Sequence, residues 1–240
     1  MRHFDVQQID ILDDNFTFDT GRAKEILIRL QQKSRKLHIN LQNGVRVDKM
    51  DEDLLIHMKK AGVFKIGFGI ESANAEIQKN LRKHVDLEKA VFLVRKARSL
   101  GIITYGFFIL GLPGDTPERM KESVDFAIRM NPHFVNLSIC IPFPGTELFA
   151  QMQREGRLRK DLESGIDCGF FGGETFFMLD GIAPVDMAQF FKETYRNFYL
   201  RPSKIIDTLF TIRSLDEFLW FWDVIKDVIK LSGTKREGTI

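Results

Sequence analysis

Short apolar runs alternate with amphipathic helical stripes along the first two thirds of this 240-residue chain. The apolar runs predict strands at residues 6–12, 38–41, 63–70, 102–110 and 134–141. The stripes between them predict helices, including one at about 20–36 and another at about 86–100. Such alternation is typical of parallel strands joined by crossover helices. The chain is therefore expected to be an α/β protein built on a parallel sheet.

Glycine and small polar residues mark the predicted ends of these elements. Asn43 and Gly44 are expected to form a turn that closes the second strand, and Gly62 is placed to cap a helix. Asn74 is expected to cap the short helix after the third strand. The run at 102–110 is so apolar that burial on both faces of that strand is expected.

The pattern changes beyond about residue 150, where no further clear strand follows. Residues 165–173 are rich in glycine, and 165–177 is a candidate lid over a binding site. Residues 218–231 are amphipathic, which favours a helix packed on its own domain over one lying on a membrane. The predicted division is a βα domain at 1–160 and a mainly helical C-terminal extension at 161–240.

Composition and motifs argue against several classes of protein. The formal net charge is +2 with Lys and Arg scattered, so no nucleic-acid surface is predicted. No apolar run approaches the roughly 20 residues that span a bilayer, and no signal peptide is evident. Cys140 and Cys168 are the only cysteines and lie far apart, so no disulfide framework is expected and a reducing cytoplasm is the expected location. No histidines are paired at metal-ligand spacing, and no metal ligands are predicted. Phosphate-loop, serine-elbow and zinc-protease motifs are absent from the sequence.

Polar residues and glycines follow the predicted strands at the points where the strands end. In parallel βα folds the carboxyl ends of the strands form the ligand site, so these residues are expected to gather on one rim. They are Asp13, Asp14, Asn15, Asn43, Arg46, Glu71, Ser72, Gly111, Asp115, Asn136 and Ser138. Simpler roles stay open for each, such as helix caps, turns and polar groups satisfied by their neighbours.

Five segments in the same order resemble the radical S-adenosylmethionine (SAM) enzymes, particularly those with a cobalamin-binding domain upstream. They are IDILDDNFT at 9–17, NGVR at 43–46, GFGIESAN at 67–74, FILGLPGDTPE at 108–118 and PFPGTEL at 142–148. Lys83 follows the third segment at the familiar offset, and residues 195–202 resemble the helical tail of the cobalamin-associated branch. The resemblance covers roughly residues 4–150.

The resemblance implies a partial parallel (β/α) barrel that lacks its first βα unit and carries a helical C-terminal extension. It implies SAM bound beside a [4Fe–4S] cluster, with cobalamin on an absent domain, for radical-based modification or methyl transfer on a small-molecule substrate.

The resemblance also implies roles for single residues. Asp13, Asp14 and Asn15 stand where the family holds the methionine amino group, and Glu71, next to the candidate Ser72, stands where relatives contact the ribose or the methionyl part. Lys83 falls where relatives use a basic residue for the methionine carboxylate. Arg46 ends the strand before Glu71, while Ile109, Gly111, Asn136 and Ser138 are expected to surround the adenine. Phe107 stands where some relatives have an acidic residue.

The family's cluster loop, CxxxCxxC, has no counterpart in this sequence, and two cysteines cannot replace its three thiolates. The chain alone is therefore expected to be catalytically inactive. The hypothesis is a truncated product, or one half of a split enzyme whose separately encoded N-terminal half carries the loop. The unpaired edge expected at 6–12 fits such a partner. The alternatives are a non-catalytic barrel module for ligand or protein binding, and a metal-independent βα-barrel enzyme, for which no phosphate-binding turn is found.

Overall fold

The computed structural model describes residues 6–32, 37–158, 175–179 and 181–211, with the separate positions 219, 222–223 and 226. Its strands are β1 (Gln8–Ile11), β2 (His38–Val45), β3 (Val63–Glu71), β4 (Ile103–Leu110) and β5 (Phe134–Ile139). Its α-helices are α1 (Thr20–Gln31), α2 (Glu52–Ala61), α3 (Ala75–Asn80), α4 (Leu87–Ser99), α5 (Pro117–Met130), α6 (Glu147–Arg154), α7 (Pro184–Tyr199) and α8 (Pro202–Thr211). A 3-10 turn covers Val47–Lys49.

The five strands form one sheet in the order β1-β2-β3-β4-β5, and the pairs from β1 to β4 are parallel. The predicted α/β class with a parallel sheet is confirmed. Within the described part of the chain β1 is an edge strand, paired with β2 alone.

The second strand extends further than its sequence indicated. The expected turn at Asn43-Gly44 is wrong, because β2 continues through both residues to Val45. Gly44 has a φ of +85°, and the register with β3 shifts between Leu41 and Val45. A glycine that adopts positive φ lets a strand bulge where another residue would end it.

Helix-capping signals in the sequence are confirmed. Asn74 accepts hydrogen bonds from the backbone N–H groups of Glu76 and Ile77 at the start of α3. Gly62 ends α2 in the left-handed conformation, with a φ of +101°. These caps satisfy helix-terminal groups that would otherwise lack partners, and they set the lengths of α2 and α3.

The two faces of the sheet differ in their surroundings. Thr104, Phe108 and Leu110 of β4 are buried, and a Cβ placed on Gly106 of the same face would lie 2.7 Å from Met130 Cε of α5. This face packs on the helices. The opposite face, called the inner face below, carries Lys65, Gly67, Gly69, Tyr105, Phe107 and Ile109. The side chains of β4 on the inner face are only partly buried, so the expectation that both faces are buried is wrong.

The described residues divide into two compact units. The first extends to Leu110 and includes Arg119–Ser138, and therefore contains β1 to β4, nearly all of β5 and most of α5. The second contains Gly111–Glu118 and the residues from Ile139 onward, with α6 to α8 and two isolated bridges, Leu158 to Phe177 and Leu179 to Ile182. The predicted boundary near residue 160, most of the candidate lid at 165–177, Cys168 and most of the amphipathic segment 218–231 lie outside the described residues.

Over the residues that the structure describes, no helix is both long enough and apolar enough to cross a bilayer.

Candidate functional site

An ion pair stands at the carboxyl end of the central strand. Lys83 Nζ lies 2.6 Å from Glu71 Oε1, and about a quarter of each side chain is exposed (26% and 23%). A Cβ placed on Gly69 would lie 3.1 Å from Glu71 Oε1 and 3.3 Å from Lys83 Nζ, so both charges sit above that glycine on the inner face. Glu71 has a φ of +65°, a conformation that is costly for a residue other than glycine and recurs at functional sites.

A buried network fixes the segment that carries this pair. Ser72 Oγ lies 3.3 Å from Ser123 Oγ, and Ser123 Oγ accepts a hydrogen bond of 2.9 Å from the N–H of Ala73. Gln78 Nε2 donates to the carbonyl of Ser72 at 2.8 Å, and Gln78 Oε1 accepts from the N–H of Val85 at 3.0 Å. The Gln78 side chain therefore connects the residue after Glu71 to the loop that carries Lys83.

The three polar residues after β1 differ in their contacts. Asp13 accepts hydrogen bonds from the N–H of Asn15 at 2.9 Å and from the guanidinium of Arg22 at 3.3 Å. Asn15 Oδ1 accepts from Thr17 Oγ1 at 3.4 Å. Asp14 is exposed and makes no hydrogen bond or ion pair with the part of the chain that the structure describes. Asp14 is thus the carboxylate at this strand end that remains available to a ligand.

Arg46 is engaged by a neighbour. Its guanidinium donates two hydrogen bonds of 2.9 Å to the carboxylate of Asp48. These bonds lower the pKa of Asp48 and raise the pKa of Arg46, because each charge favours the other. A ligand that uses Arg46 would have to compete with Asp48.

The remaining predicted residues occupy varied environments. Ile109 lies on the inner face, and on β5 the exposed Asn136 and the partly buried Ser138 alternate with buried residues. Gly111 belongs to the second unit and has a φ of +71°, and a Cβ there would lie 3.2 Å from Leu179 Cδ1. The Ser72 side chain is turned into the buried network described above. The structure brings Glu71 and Lys83 into direct contact, and the ligand contacts implied for the whole set stay predictions.

Phe107 forms the floor of the inner face, a role that sequence reasoning missed. A Cβ on Gly67 would lie 2.3 Å from the Phe107 ring, and one on Gly44 would lie 2.8 Å from it. The ring can therefore lie against the sheet only because both positions are glycine. The signal was the presence of Gly44 and Gly67 on strands near an aromatic strand, but it requires knowledge of which residues of β2, β3 and β4 pair.

The described residues do not fit an iron–sulfur cluster. Among them no three Cys, His, Asp or Glu side chains are grouped as a metal site, and Cys140 is the only cysteine that the structure describes. Burial, assisted by the nearby carboxylate of Asp115, raises the pKa of Cys140 to about 12. A thiol with that pKa is a poor source of the thiolate that iron requires.

Comparison with known proteins gives the family. Residues 2–127, more than half of the chain, match the Radical SAM superfamily. An uncharacterised methyltransferase of Pyrococcus horikoshii is 27% identical over 208 residues, covering 86% of this chain and 44% of the relative. The cytidylyl-2-hydroxyethylphosphonate methyltransferase of Streptomyces wedmorensis is 31% identical over 160 residues, covering 64% of this chain and 30% of the relative.

A solved structure is similar in fold. It is the radical SAM methyltransferase TsrM of Kitasatospora setae with cobalamin and a [4Fe–4S] cluster bound, matched at a TM-score of 0.57 and 20% identity. The match covers 77% of this chain and 37% of that one. The predicted barrel type of fold is confirmed.

The chain belongs to the radical SAM superfamily, whose cofactors are SAM and a [4Fe–4S] cluster, and its similarities extend to a member that binds cobalamin. It spans less than half the length of the two curated relatives described above.

Proposed function

We propose that this chain is the SAM-binding part of a radical SAM enzyme that transfers a methyl group to a small-molecule substrate or modifies it by radical chemistry. The ion pair of Glu71 and Lys83 at the carboxyl end of the central strand carries the proposal. The relatives named as methyltransferases favour methyl transfer. When bound, the family's cofactors supply the radical or the methyl group.

The charges of Asp14, Glu71 and Lys83 suit the methionine part of the ligand. A carboxylate such as Glu71 or Asp14 can accept hydrogen bonds from its ammonium group, and the Lys83 ammonium can donate to its carboxylate. Glu71 and Lys83 now neutralise each other, so binding would replace one internal ion pair with contacts to a zwitterion. Gly69 beneath them leaves room for the two charged groups, which a side chain at that position would crowd.

The cluster requires residues beyond those described. We propose that the CxxxCxxC loop follows a strand that pairs with the open edge of β1. This strand and its loop would belong to the first βα unit of the barrel. That strand can precede this sequence in one polypeptide or belong to a separately encoded N-terminal half. Parallel pairing with β1 would give its exposed backbone groups the partners that an edge strand lacks. A further domain would hold cobalamin.

Ligand-detected NMR with SAM tests the binding role. The chain is expected to bind SAM weakly, and Lys83→Met is expected to weaken binding at least about tenfold, since a hydrogen bond to a charged group is lost. Glu71→Gln should weaken it as well. Lys79→Met is the matched control, because Lys79 is an exposed lysine of α3, and its affinity should be unchanged. Equal affinity for all four proteins would contradict the proposal and favour the non-catalytic barrel module.

Anaerobic incubation with iron and sulfide tests the assignment of the cluster. The chain alone is expected to show no visible absorption of an iron–sulfur cluster, because it has two cysteines and the pKa of Cys140 is about 12. Co-expression with a radical SAM segment that carries CxxxCxxC and the preceding strand should restore that absorption. A stoichiometric cluster on the chain alone would show that the thiolate argument is wrong.

A further inference from the structure

A second polar row crosses the inner face, well below the ion pair of Glu71 and Lys83. Asp10, Asn40 and Lys65 are neighbours in the register of β1, β2 and β3. Lys65 precedes Glu71 by six residues on one strand, which is roughly 20 Å at the rise of a β-strand. The row is therefore separate from the groups assigned to SAM.

Asn40 has a hydrogen-bonding capacity that the described chain leaves unused. It is only 7% exposed, and its Nδ2 donates to Asp10 Oδ1 at 2.8 Å. Its Oδ1 is buried and has no hydrogen-bond partner. With Nδ2 directed at β1, the oxygen at the other side of the carboxamide is directed away from Asp10. Buried carboxamide oxygens are nearly always satisfied, so this atom calls for a donor.

Lys65 is the register neighbour of Asn40 on β3 and carries a positive charge that no described carboxylate pairs with. Its Nζ lies 4.5 Å from the centroid of the Tyr105 ring and makes no ion pair with the described residues. Tyr105 in turn stacks on Phe134 with ring centroids 4.9 Å apart, which holds the tyrosine in place. A cation–π contact uses the charge of the ammonium, and it leaves the N–H donors of Lys65 free for an anion.

Phe107 separates the row from the upper site. Its ring lies over Gly67, and Gly67 stands between Lys65 and Gly69 along β3. An extended molecule on the inner face would therefore meet charged groups at both ends and an aromatic surface in the middle.

We propose that Asn40, Lys65 and Tyr105 form a subsite for the anionic end of the substrate, a carboxylate, phosphonate or phosphate with a neighbouring hydroxyl or amino group. The oxyanion would accept hydrogen bonds from Lys65 Nζ, and the neighbouring group would donate to Asn40 Oδ1. Asn40 donates a hydrogen bond to the carboxylate of Asp10 on β1, on the side away from Lys65. The negative charge of Asp10 would repel anions that extend to β1, so the subsite would favour anions that lie over β3. The assignment to substrate rests on the proposed function.

Two-dimensional NMR with small probes tests this subsite without SAM. Glycolate and hydroxymethylphosphonate supply an anion with a hydroxyl group, and ethylene glycol is the uncharged control. We expect the anions, and not ethylene glycol, to shift the backbone amide signals of residues 64–66 and 104–106. The anion that binds with the higher affinity shows whether the subsite prefers a carboxylate or a phosphonate. Lys65→Met should weaken anion binding at least about tenfold, while Lys65→Arg should retain it.

Two comparisons decide the outcome. Lys60→Met removes an exposed lysine at the end of α2 and should bind the anions like the wild type. Lys65→Met should keep the wild-type affinity for SAM. Anion binding that is equal in wild type and Lys65→Met, or anion-induced shifts absent from both segments, would overturn the subsite. Loss of SAM binding in Lys65→Met would show that the row is not separate. Anion binding without SAM binding in the wild type would retain the subsite and reject the proposed function.

Discussion

Gly62→Ala is expected to destabilise the first unit by at least about 4 kcal/mol, a loss near the upper end for a single substitution. Gly62 has a φ of +101°, and a Cβ there would lie 2.0 Å from the carbonyl oxygen of Leu37. That oxygen belongs to the backbone and cannot rotate away. The carbonyl of Gly62 also accepts a hydrogen bond of 2.9 Å from the N–H of Ile39, so relief of the clash would disturb the junction of β2 and β3.

Gly156→Ala is the control that shows how much of the Gly62→Ala effect comes from the steric clash and how much from positive φ alone. Gly156 follows the C-cap of α6 with a φ of +64°, and a Cβ there would meet nothing within 4 Å. It should cost only about 1 kcal/mol, the usual penalty for a left-handed residue with a side chain. Urea denaturation followed by circular dichroism measures both variants. Equal losses would show that backbone conformation alone, and not the contact with Leu37, makes Gly62 necessary.

The elements of this fold could be predicted because their signals are local. Asn74 caps α3 through hydrogen bonds to Glu76 and Ile77, residues only two and three positions away. Gly62 ends α2 next to the last residue of the helical stripe. Such signals depend on neighbours in sequence, so they survive without knowledge of the tertiary structure.

Features that depend on strand pairing could not be predicted in this way. Asn43-Gly44 is a common turn signal, yet β2 continues through it because pairing with β3 resumes at Val45 and Phe68. The seat of Phe107 on Gly44 and Gly67 joins residues that are far apart in the sequence. The partial exposure of β4 on the inner face is likewise set by what packs on that face, and an apolar run cannot indicate it.

The candidate site likewise has features that the sequence could predict and features that depend on the tertiary structure. The βα pattern predicted a site at the carboxyl ends of the strands. The sequence assigned Glu71 and Lys83 to different parts of a ligand, and their direct contact was not predicted. The inward turn of Ser72 and the engagement of Arg46 with Asp48 depend on side-chain directions that the motif does not specify. The row of Asp10, Asn40 and Lys65 required the register of three strands.

Gln78→Met is expected to lower the stability of the first unit by about 2–4 kcal/mol and to weaken SAM binding at the same time. Methionine has nearly the volume of glutamine, so the substitution removes hydrogen bonds with little change in packing. The carbonyl of Ser72 and the N–H of Val85 would each lose their hydrogen bond to the side chain of Gln78. These groups would then lack a partner in a buried region, since Gln78 is only 7% exposed. Each unsatisfied buried group costs about 1–3 kcal/mol.

The effect on binding follows from what Gln78 connects. Its side chain fixes the carbonyl next to Glu71, whose φ of +65° is held against its own preference, and the loop two residues beyond Lys83. Hydrogen exchange should therefore accelerate at the Val85 amide in Gln78→Met before global unfolding. Gln153→Met, an exposed glutamine of α6, is the control and should change neither stability nor exchange. Unchanged protection of Val85 in Gln78→Met would mean that the loop carrying Lys83 is held by other contacts, and the ion pair would then owe its geometry to the strand end alone.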